Sequence, residues 1–190
     1  APFVEARLYA ITNVAIHDAL NAITPRYGRY ADRGPIDREA NATAAAFTAA
    51  HDAIVGAAPG ATAATDTWYA NEMNGVDGAG IAAGVAIGRR AAAAILARRA
   101  SDGVAAGGVA PYVQSTGPGD YRFTAPFDGP PFNLIFPGTG GFADASEWGT
   151  TVTPFVVSSN AQFRAPRPYG AATNAAAVLT PLYTTDFAEI

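Results

Sequence analysis

The chain contains two histidine-aspartate pairs, whose side chains are candidate metal ligands. His17 and Asp18 stand in the stretch AIHDAL, and His51 and Asp52 stand in AAHDAI. Imidazole and carboxylate groups bind several divalent metals, so one hypothesis is a metal site that uses both pairs. Neighbouring residues on a helix point about 100° apart, however, so a His and the Asp after it cannot easily hold one ion. We therefore favour the other hypothesis, in which both histidines are hydrogen-bonded core residues of packed helices.

The cationic side chains are the second set of candidate functional residues. All twelve are arginine, and the absence of lysine excludes a Schiff base and a P-loop lysine. Arg99 lies at the end of a predicted helix, within reach of Asp102. Its guanidinium could clamp an anion, or it could pair with Asp102 at a helix end whose dipole favours a cation. We favour the structural ion pair.

The first histidine-aspartate pair lies on a predicted helix, Ala6 to Ile23, that is apolar over most of its circumference. One sector of this helix holds the polar side chains Arg7, Asn13, His17, Asp18 and Asn21. A helix of this kind is expected inside a larger body, where polar groups need hydrogen-bond partners. We therefore predict that His17, Asp18 and Asn21 form a buried hydrogen-bonded row.

Three more helices are predicted in the first half of the chain. The second opens at Pro35-Ile36-Asp37, with Asp37 as its N-cap, and runs to about Ala58; the third covers Ala61 to Asn74, and the fourth covers about Gly78 to Ser101. The fourth contains Gly80, Gly84 and Gly88 at four-residue spacing. Because glycine inside a helix costs about 1 kcal/mol relative to alanine, this row predicts the close approach of another helix.

The helical pattern stops between Val104 and Pro168. This stretch holds nine of the 14 prolines and the large aromatic residues Phe123, Phe127, Phe132, Phe136, Phe142, Trp148, Phe155 and Phe163. Compact domains rarely contain so long a structureless segment, and aromatic rings bring apolar area that must be covered. We expect an extended arm that docks on another body. The alternative is an ordinary loop with short strands, of which Pro154 to Ser158 is the best candidate.

Composition narrows the class of protein. With 190 residues, 49% of them hydrophobic and 15% charged, the chain can bury one sizeable core. A net charge of -4 argues against a nucleic-acid partner. The absence of cysteine excludes thiolate zinc sites, iron-sulfur clusters and disulfides. Arg89 and Arg90 interrupt the most apolar run, Ile81 to Leu96, which argues against membrane insertion.

Both ends of the chain lie inside predicted helices. The first residue is not methionine, so we expect that an upstream piece, such as a signal peptide, has been removed. The compartment stays open, with a secreted or periplasmic location favoured. A final helix is predicted to start near Thr180-Pro181, where proline suits the first turn, and it runs to the end without a cap. We expect one incomplete domain: a helical scaffold over 1–103, a wrapping segment over 104–170, and the start of a further helix over 171–190.

Six stretches resemble the N-terminal half of the bacterial vanadium-dependent haloperoxidase-like proteins, in the superfamily of type 2 phosphatidic acid phosphatases. They are ARLYAITNVAIHDALNAITPRYGRY (Ala6 to Tyr30), AAFTAAHDAI (Ala45 to Ile54), GVAIGRRAAAAILARRASDG (Gly84 to Gly103), PGDYRFTAP (Pro118 to Pro126), EWGTTVTPFVVSSNAQFRAPRP (Glu147 to Pro168) and YTTDFAEI (Tyr183 to Ile190). Any one stretch is weak evidence. Their occurrence in the family's order, including the Arg-Ala-x-Asp-Gly helix end, is more specific.

The resemblance implies an all-α protein of two helical bundles, with an active site that binds vanadate or phosphate. In the family the ligands come from later motifs: a lysine and an Arg-Pro pair, a Pro-Ser-Gly-His stretch, and a final arginine with the vanadate-binding histidine. This chain has no Lys and no Ser-Gly-His, and neither His17 nor His51 stands in a matching context. The resemblance therefore assigns no catalytic, cofactor-binding or metal residue here. We expect this chain alone to bind no vanadate and to be inactive.

Three functional hypotheses follow. The first is an N-terminal scaffold of a haloperoxidase-like or acid-phosphatase-like enzyme, whose partner is the C-terminal catalytic half of the same protein; homo-oligomerisation is left open. The second is a free-standing helical module that uses the arm to bind a protein partner without catalysis. The third is a small metalloprotein that uses the two His-Asp pairs.

Overall fold

The structure, a computed structural model, describes residues 2–104, 110–111, 116–118, 122, 124–125, 143–144 and 146–189. The protein is all-α, as predicted. The chain divides into two compact units, Ala1–Ser101 and Asp102–Ile190. The predicted three-part division at residues 103 and 170 stays a prediction.

The first unit contains four α-helices: α1 (Pro2–Asn21), α2 (Ala42–Ala57), α3 (Thr62–Met73) and α4 (Ile81–Arg99). A 3-10 turn, Pro59–Ala61, joins α2 to α3. Helix α2 is central, since it packs against α1, α3 and α4, and α1 also packs against α4. The buried apolar set of this unit consists mostly of alanine, with Ile11, Ile23, Ile87 and Ile95 as its larger members. Such small side chains let helix backbones come close.

The glycine row of α4 marks the closest of these approaches. A Cβ atom on Gly84 would lie 2.3 Å from the carbonyl oxygen of Asn41, and one on Gly88 would lie 2.5 Å from that of Ala45. Both distances are far below van der Waals contact, so only glycine fits there. The prediction of a close helix-helix contact is confirmed. Gly80 precedes the helix with φ of 73°, a backbone conformation that glycine adopts readily.

The predicted start of the second helix is wrong. Helix α2 begins at Ala42, and its N-cap is Asn41, whose side chain accepts a hydrogen bond from Ala44 N–H at 2.9 Å. Asp37 lies in the preceding loop, where its carboxylate accepts from Glu39 N–H at 3.0 Å. A short acidic side chain can stabilise a turn in this way as well as a helix start. The motif at Asp37 therefore specifies a turn.

The second unit contains shorter elements. These are the paired two-residue strands β1 (Ala110–Pro111) and β2 (Ala143–Asp144), the helices α5 (Ser146–Thr151), α6 (Asn174–Val178) and α7 (Pro181–Ala188), and a 3-10 turn, Pro168–Gly170. The strands are antiparallel, with Ala110 opposite Asp144. The predicted last helix is confirmed as α7, with Thr180 as N-cap accepting from Tyr183 N–H. Helix α6 was not predicted.

The predicted strand at Pro154 to Ser158 is wrong. These residues form no strand but a series of bends. Ser158 donates both its N–H and its hydroxyl to the side-chain oxygen of Gln162, at 2.6 and 3.0 Å. A backbone bond from Gln162 N–H to the Ser159 carbonyl closes a turn just beyond. Local side-chain bonds thus take the place of a strand pairing.

The aromatic residues of the predicted arm are described in part. Phe123, Phe127, Phe132, Phe136 and Phe142 lie outside the described residues. Trp148 and Phe155 are half-buried, whereas Phe163 is 80% exposed. Docking of this arm on another body stays a prediction. Within the described part of the chain, none of the helices combines the length and apolar character that a membrane span requires.

Candidate functional site

Asp18 is the anchor of the loop that follows α1. Its side chain is completely buried, and its two oxygens accept hydrogen bonds from three successive backbone groups: Tyr30 N–H at 2.6 Å, Ala31 N–H at 2.6 Å and Asp32 N–H at 2.8 Å. Hydrogen bonds to an ionised acceptor are roughly twice as strong as those between neutral groups. The Asp18 carboxylate thus binds the backbone of its own chain and is not open to a ligand.

Asn21 and His17 hold the first part of the same loop. The Asn21 side-chain oxygen accepts from Arg26 N–H at 3.0 Å and from Tyr27 N–H at 2.8 Å, and its amide donates to the His17 carbonyl at 2.8 Å. The His17 Nε2 atom donates to the Gly28 carbonyl at 3.1 Å. The predicted buried row is confirmed for Asp18 and Asn21. His17 is only half-buried, because its ring lies at the edge of an open cleft.

That cleft has a volume of about 360 Å³. Its lining consists of His17, Leu20, Asn21, Thr24, Arg26, Tyr27 and Ala42. The ring centroids of His17 and Tyr27 are 6.2 Å apart, so the cleft has one aromatic wall. The polar atoms of Asn21 and the His17 Nε2 atom are already hydrogen-bonded within the chain. This leaves a mostly apolar surface with few groups that could orient a ligand.

Asp32, which is buried, forms an ion pair with the half-buried Arg90 that was not predicted. Arg90 Nε donates to one Asp32 oxygen at 2.9 Å and Arg90 Nη2 donates to the other at 3.0 Å, while Arg29 Nη1 adds a third bond at 3.0 Å. Burial by itself raises the pKa of Asp32, but the hydrogen bonds from Arg90 and from Gly34 N–H, with the charges of both arginines, hold it below 3.8. The pair joins α4 to the loop that Asp18 anchors.

His51 is the centre of a second cluster, between α2 and α3. Its Nδ1 atom lies 2.7 Å from an Asp52 oxygen, and its Nε2 atom lies 2.8 Å from an Asp66 oxygen on α3. Tyr69, also on α3, lies against the imidazole with a centroid distance of 4.4 Å, and its hydroxyl is 2.9 Å from that of Thr48. Asp66 and Tyr69 were not predicted as partners of His51. Their three-residue spacing, which places them on one helix face, was the available signal.

This geometry leaves His51 little capacity for catalysis or metal binding. Both ring nitrogens face carboxylate oxygens, so neither offers a free lone pair to a metal or a substrate proton. Among the described residues, no three His, Asp or Glu side chains are grouped so that they could hold a metal ion. The two His-Asp pairs have separate partners. The hypothesis of a metal site built from both pairs is therefore wrong.

Arg99 is buried, with 3% of its side chain exposed. Its carbonyl accepts from Arg7 Nη2 at 3.2 Å. A clamp for a dissolved anion needs an accessible guanidinium, so this position favours the structural role that we preferred. The ion pair with Asp102 stays a prediction.

A second cleft lies within the second unit. It has a volume of about 490 Å³ and is lined by Thr150, Thr151, Thr153, Pro154, Ser158, Ser159, Asn160, Ala161 and Arg164. The Asn160 amide donates to the Val152 carbonyl at 3.1 Å, and Ser158 bonds Gln162. These two side chains therefore hold the local backbone in place.

No family model, curated protein or solved structure matches this chain. The functional assignment therefore rests on the residues and the geometry described above. Taken together, the buried polar residues of the first unit bind one another and the backbone.

Proposed function

We propose that this chain is the N-terminal scaffold part of a vanadium haloperoxidase-like or acid-phosphatase-like enzyme. Six stretches in the family's order carry this proposal, because a chance match is much less plausible for six ordered stretches than for one. The chemistry would take place at a vanadate or phosphate oxyanion site in the C-terminal half of the same protein.

The hydrogen bonds of the first unit support a scaffold role. Asp18 and Asp32 are buried and bound by groups of the chain itself, and both nitrogens of His51 face carboxylates. An oxyanion site needs hydrogen-bond donors and cations that remain free to meet a ligand. Arg90 is taken by Asp32, and Arg99 is buried. Neither of these two arginines is therefore available to a dissolved oxyanion.

The surface of the second unit supports a docking role. Its described residues include Val156, 92% exposed, and Leu179, 82% exposed, together with exposed Phe163, Leu182 and Phe187. Scattered exposed apolar residues are normal, whereas a contiguous apolar surface marks a contact with another body. We propose that these residues belong to such a surface. We propose that the C-terminal catalytic half covers them.

The same exposed residues favour a second candidate function. A free-standing helical module could present them to a separate protein and perform no catalysis. The two functions differ in the source of the covering surface: a later part of the same polypeptide, or another molecule.

Expression of the complete reading frame beside the 190-residue chain tests the proposal. Each protein is incubated with vanadate, hydrogen peroxide and bromide or chloride, and halogenation of an organic acceptor is measured. In parallel, hydrolysis of a phosphomonoester is measured without vanadate. We expect one of these activities in the complete protein, competition between vanadate and phosphate for the site, and neither activity in the short chain. A reading frame that stops at Ile190, or a complete protein inactive in both assays, would favour the interaction module.

A further inference from the structure

Helix α3 is held to α2 by a small group of side-chain pairs. Among the described residues these are His51 with Asp66, Thr48 with Tyr69, and Phe47 edge-on against Trp68 with ring centroids 5.8 Å apart. The Tyr69 ring also lies against the His51 imidazole. Most of α3 is exposed, and Thr65 is its one buried residue. The docking of this helix therefore depends strongly on each pair. Of the three, only the pair of His51 and Asp66 contains a group that changes charge near neutral pH.

The two carboxylates around His51 fit one protonation state of the ring. A neutral imidazole has one N–H donor and one lone pair, whereas the imidazolium ion has two donors. Because Asp52 and Asp66 accept at opposite nitrogens, only the imidazolium can satisfy both contacts. The neutral ring places a lone pair against a carboxylate oxygen. The Tyr69 ring at 4.4 Å further favours the cation.

The contact with Asp66 is the one that opens when the proton leaves. Asp52 is next to His51 in the chain, so its carboxylate stays close to the ring in any case. Asp66 lies on another helix, and its side chain is 57% exposed, against 32% for Asp52. It can turn into water at lower cost than Asp52. When His51 loses its proton, the hydrogen bond that is lost is therefore the one between His51 on α2 and Asp66 on α3.

The charges around His51 decide whether its contacts stabilise the fold at low or at high pH. Burial by itself lowers the pKa of His51, but the hydrogen bonds and charges of Asp52 and Asp66 outweigh it and raise the pKa above 6.5. Tyr69 is the third ionisable neighbour. Asp52 and Asp66 are the two charged groups that act on its pKa. Since the folded pKa is the higher one, the stabilisation is complete below 6.5 and is lost as pH rises through the folded value.

We propose that His51, held between Asp52 and Asp66, is a pH-sensitive clamp that fixes α3 to α2 when protonated and releases it as pH rises. The clamp acts on one edge of the first unit and leaves the contact of α2 with α4 in place. It is independent of the proposed enzyme.

Amide hydrogen exchange on the full 190-residue chain, at pH values on both sides of the His51 pKa, tests the clamp. The His51 titration is followed by NMR in the same samples, and a His51→Gln variant, whose ring signal is missing, assigns it. We expect the protection of α3, corrected for intrinsic exchange, to fall about two- to fivefold relative to α4 as His51 loses its proton. An equal pH dependence in α3 and α4 would overturn the clamp.

Two variants of exposed α3 carboxylates sharpen this test. Asp66→Asn removes the charge at the clamp. The fall in α3 protection with rising pH, which we call the pH step, should then disappear, and the pKa of His51 should move towards 6.5. Glu72→Gln removes a carboxylate on the same helix away from the clamp, and it should keep the step. His51→Gln should give α3 the low protection of the wild-type chain at high pH. A pH step that survives in Asp66→Asn would also overturn the clamp.

Discussion

The two units of this chain bury their apolar residues very differently. In the first unit, Ile11, Ile95 and many alanines are fully buried, and Asp18, Asn21 and Asp32 are bonded within it. In the second, the described residues add only Val152 and Ala177 to the buried apolar set, while Val156, Phe163, Leu179 and Phe187 are strongly exposed. This difference indicates that the first unit is stabilised by contacts within itself. We propose that the described surface of the second is the part that meets another body.

The largest effect is expected at the anchor of the first unit. Asp18→Ala removes the acceptor of three backbone N–H groups, and each unsatisfied buried donor costs about 1–3 kcal/mol. We expect the free energy of unfolding, measured in urea by circular dichroism, to fall by about 3–5 kcal/mol. Asp77→Ala, at an exposed carboxylate, should change it by less than about 0.5 kcal/mol. Equal losses in the two variants would mean that Asp18 anchors nothing.

A smaller effect is expected where α2 meets α4. In Gly88→Ala the new Cβ would lie 2.5 Å from the Ala45 carbonyl oxygen and 2.8 Å from Thr48 Cβ, so the helices must move apart. We expect thermal unfolding to report a loss of about 1–3 kcal/mol, although alanine is the better helix former. The control is Gly60→Ala, where a Cβ meets no atom within 4 Å. A Gly88→Ala chain as stable as this control would show that the helices are not tightly packed.

The smallest effect is expected on the surface of the second unit. In the 190-residue chain, Phe163→Ser should change the free energy of unfolding by less than about 0.5 kcal/mol, because the ring is already exposed. In the complete protein the same substitution should cost about 1–3 kcal/mol, because a covered ring is lost. The matched control is Tyr9→Ser, an exposed aromatic residue of α1, which should be neutral in both. If Phe163→Ser leaves the free energy of unfolding unchanged in both proteins, the ring is not covered in the complete protein and the second unit is no docking surface at this point.

Periodicity and end signals predicted much of the fold. Helices α3 and α4 lie close to their predicted ranges, and α7 starts where Thr180-Pro181 placed it. Helix α1 begins four residues before the predicted Ala6, at Pro2, and ends at Asn21 rather than Ile23. The glycines of α4 predicted its close contact. The start of α2 was missed because Asp37 and Asn41 are both good caps, and the loop bonds of Asp37 decide between them. Pro154 to Ser158 was the best strand candidate in the alternative interpretation of the arm. Bonds between Ser158 and Gln162 favour a turn instead.

The polar clusters could be predicted only where their partners are local. Asp18 and Asn21 stand on one helix face, and their burial follows from that pattern. The pairing of Asp32 with Arg90 joins residues 58 apart in the chain, and no local spacing indicates it. For the same reason the two His-Asp pairs, alike in sequence, could not be told apart. In the first the Asp is the buried anchor, and in the second the His is the centre, because different elements pack over them.

Amide hydrogen exchange tests most directly whether the first unit is a scaffold and the second a docking surface. It is measured on the 190-residue chain and on the protein encoded by the complete reading frame. We expect the amides of residues 154–164 and of α7 to gain protection of about tenfold or more in the complete protein, whereas those of α2 and α4 stay as they are. Unchanged exchange in the second unit, with or without the rest of the protein, would contradict that account.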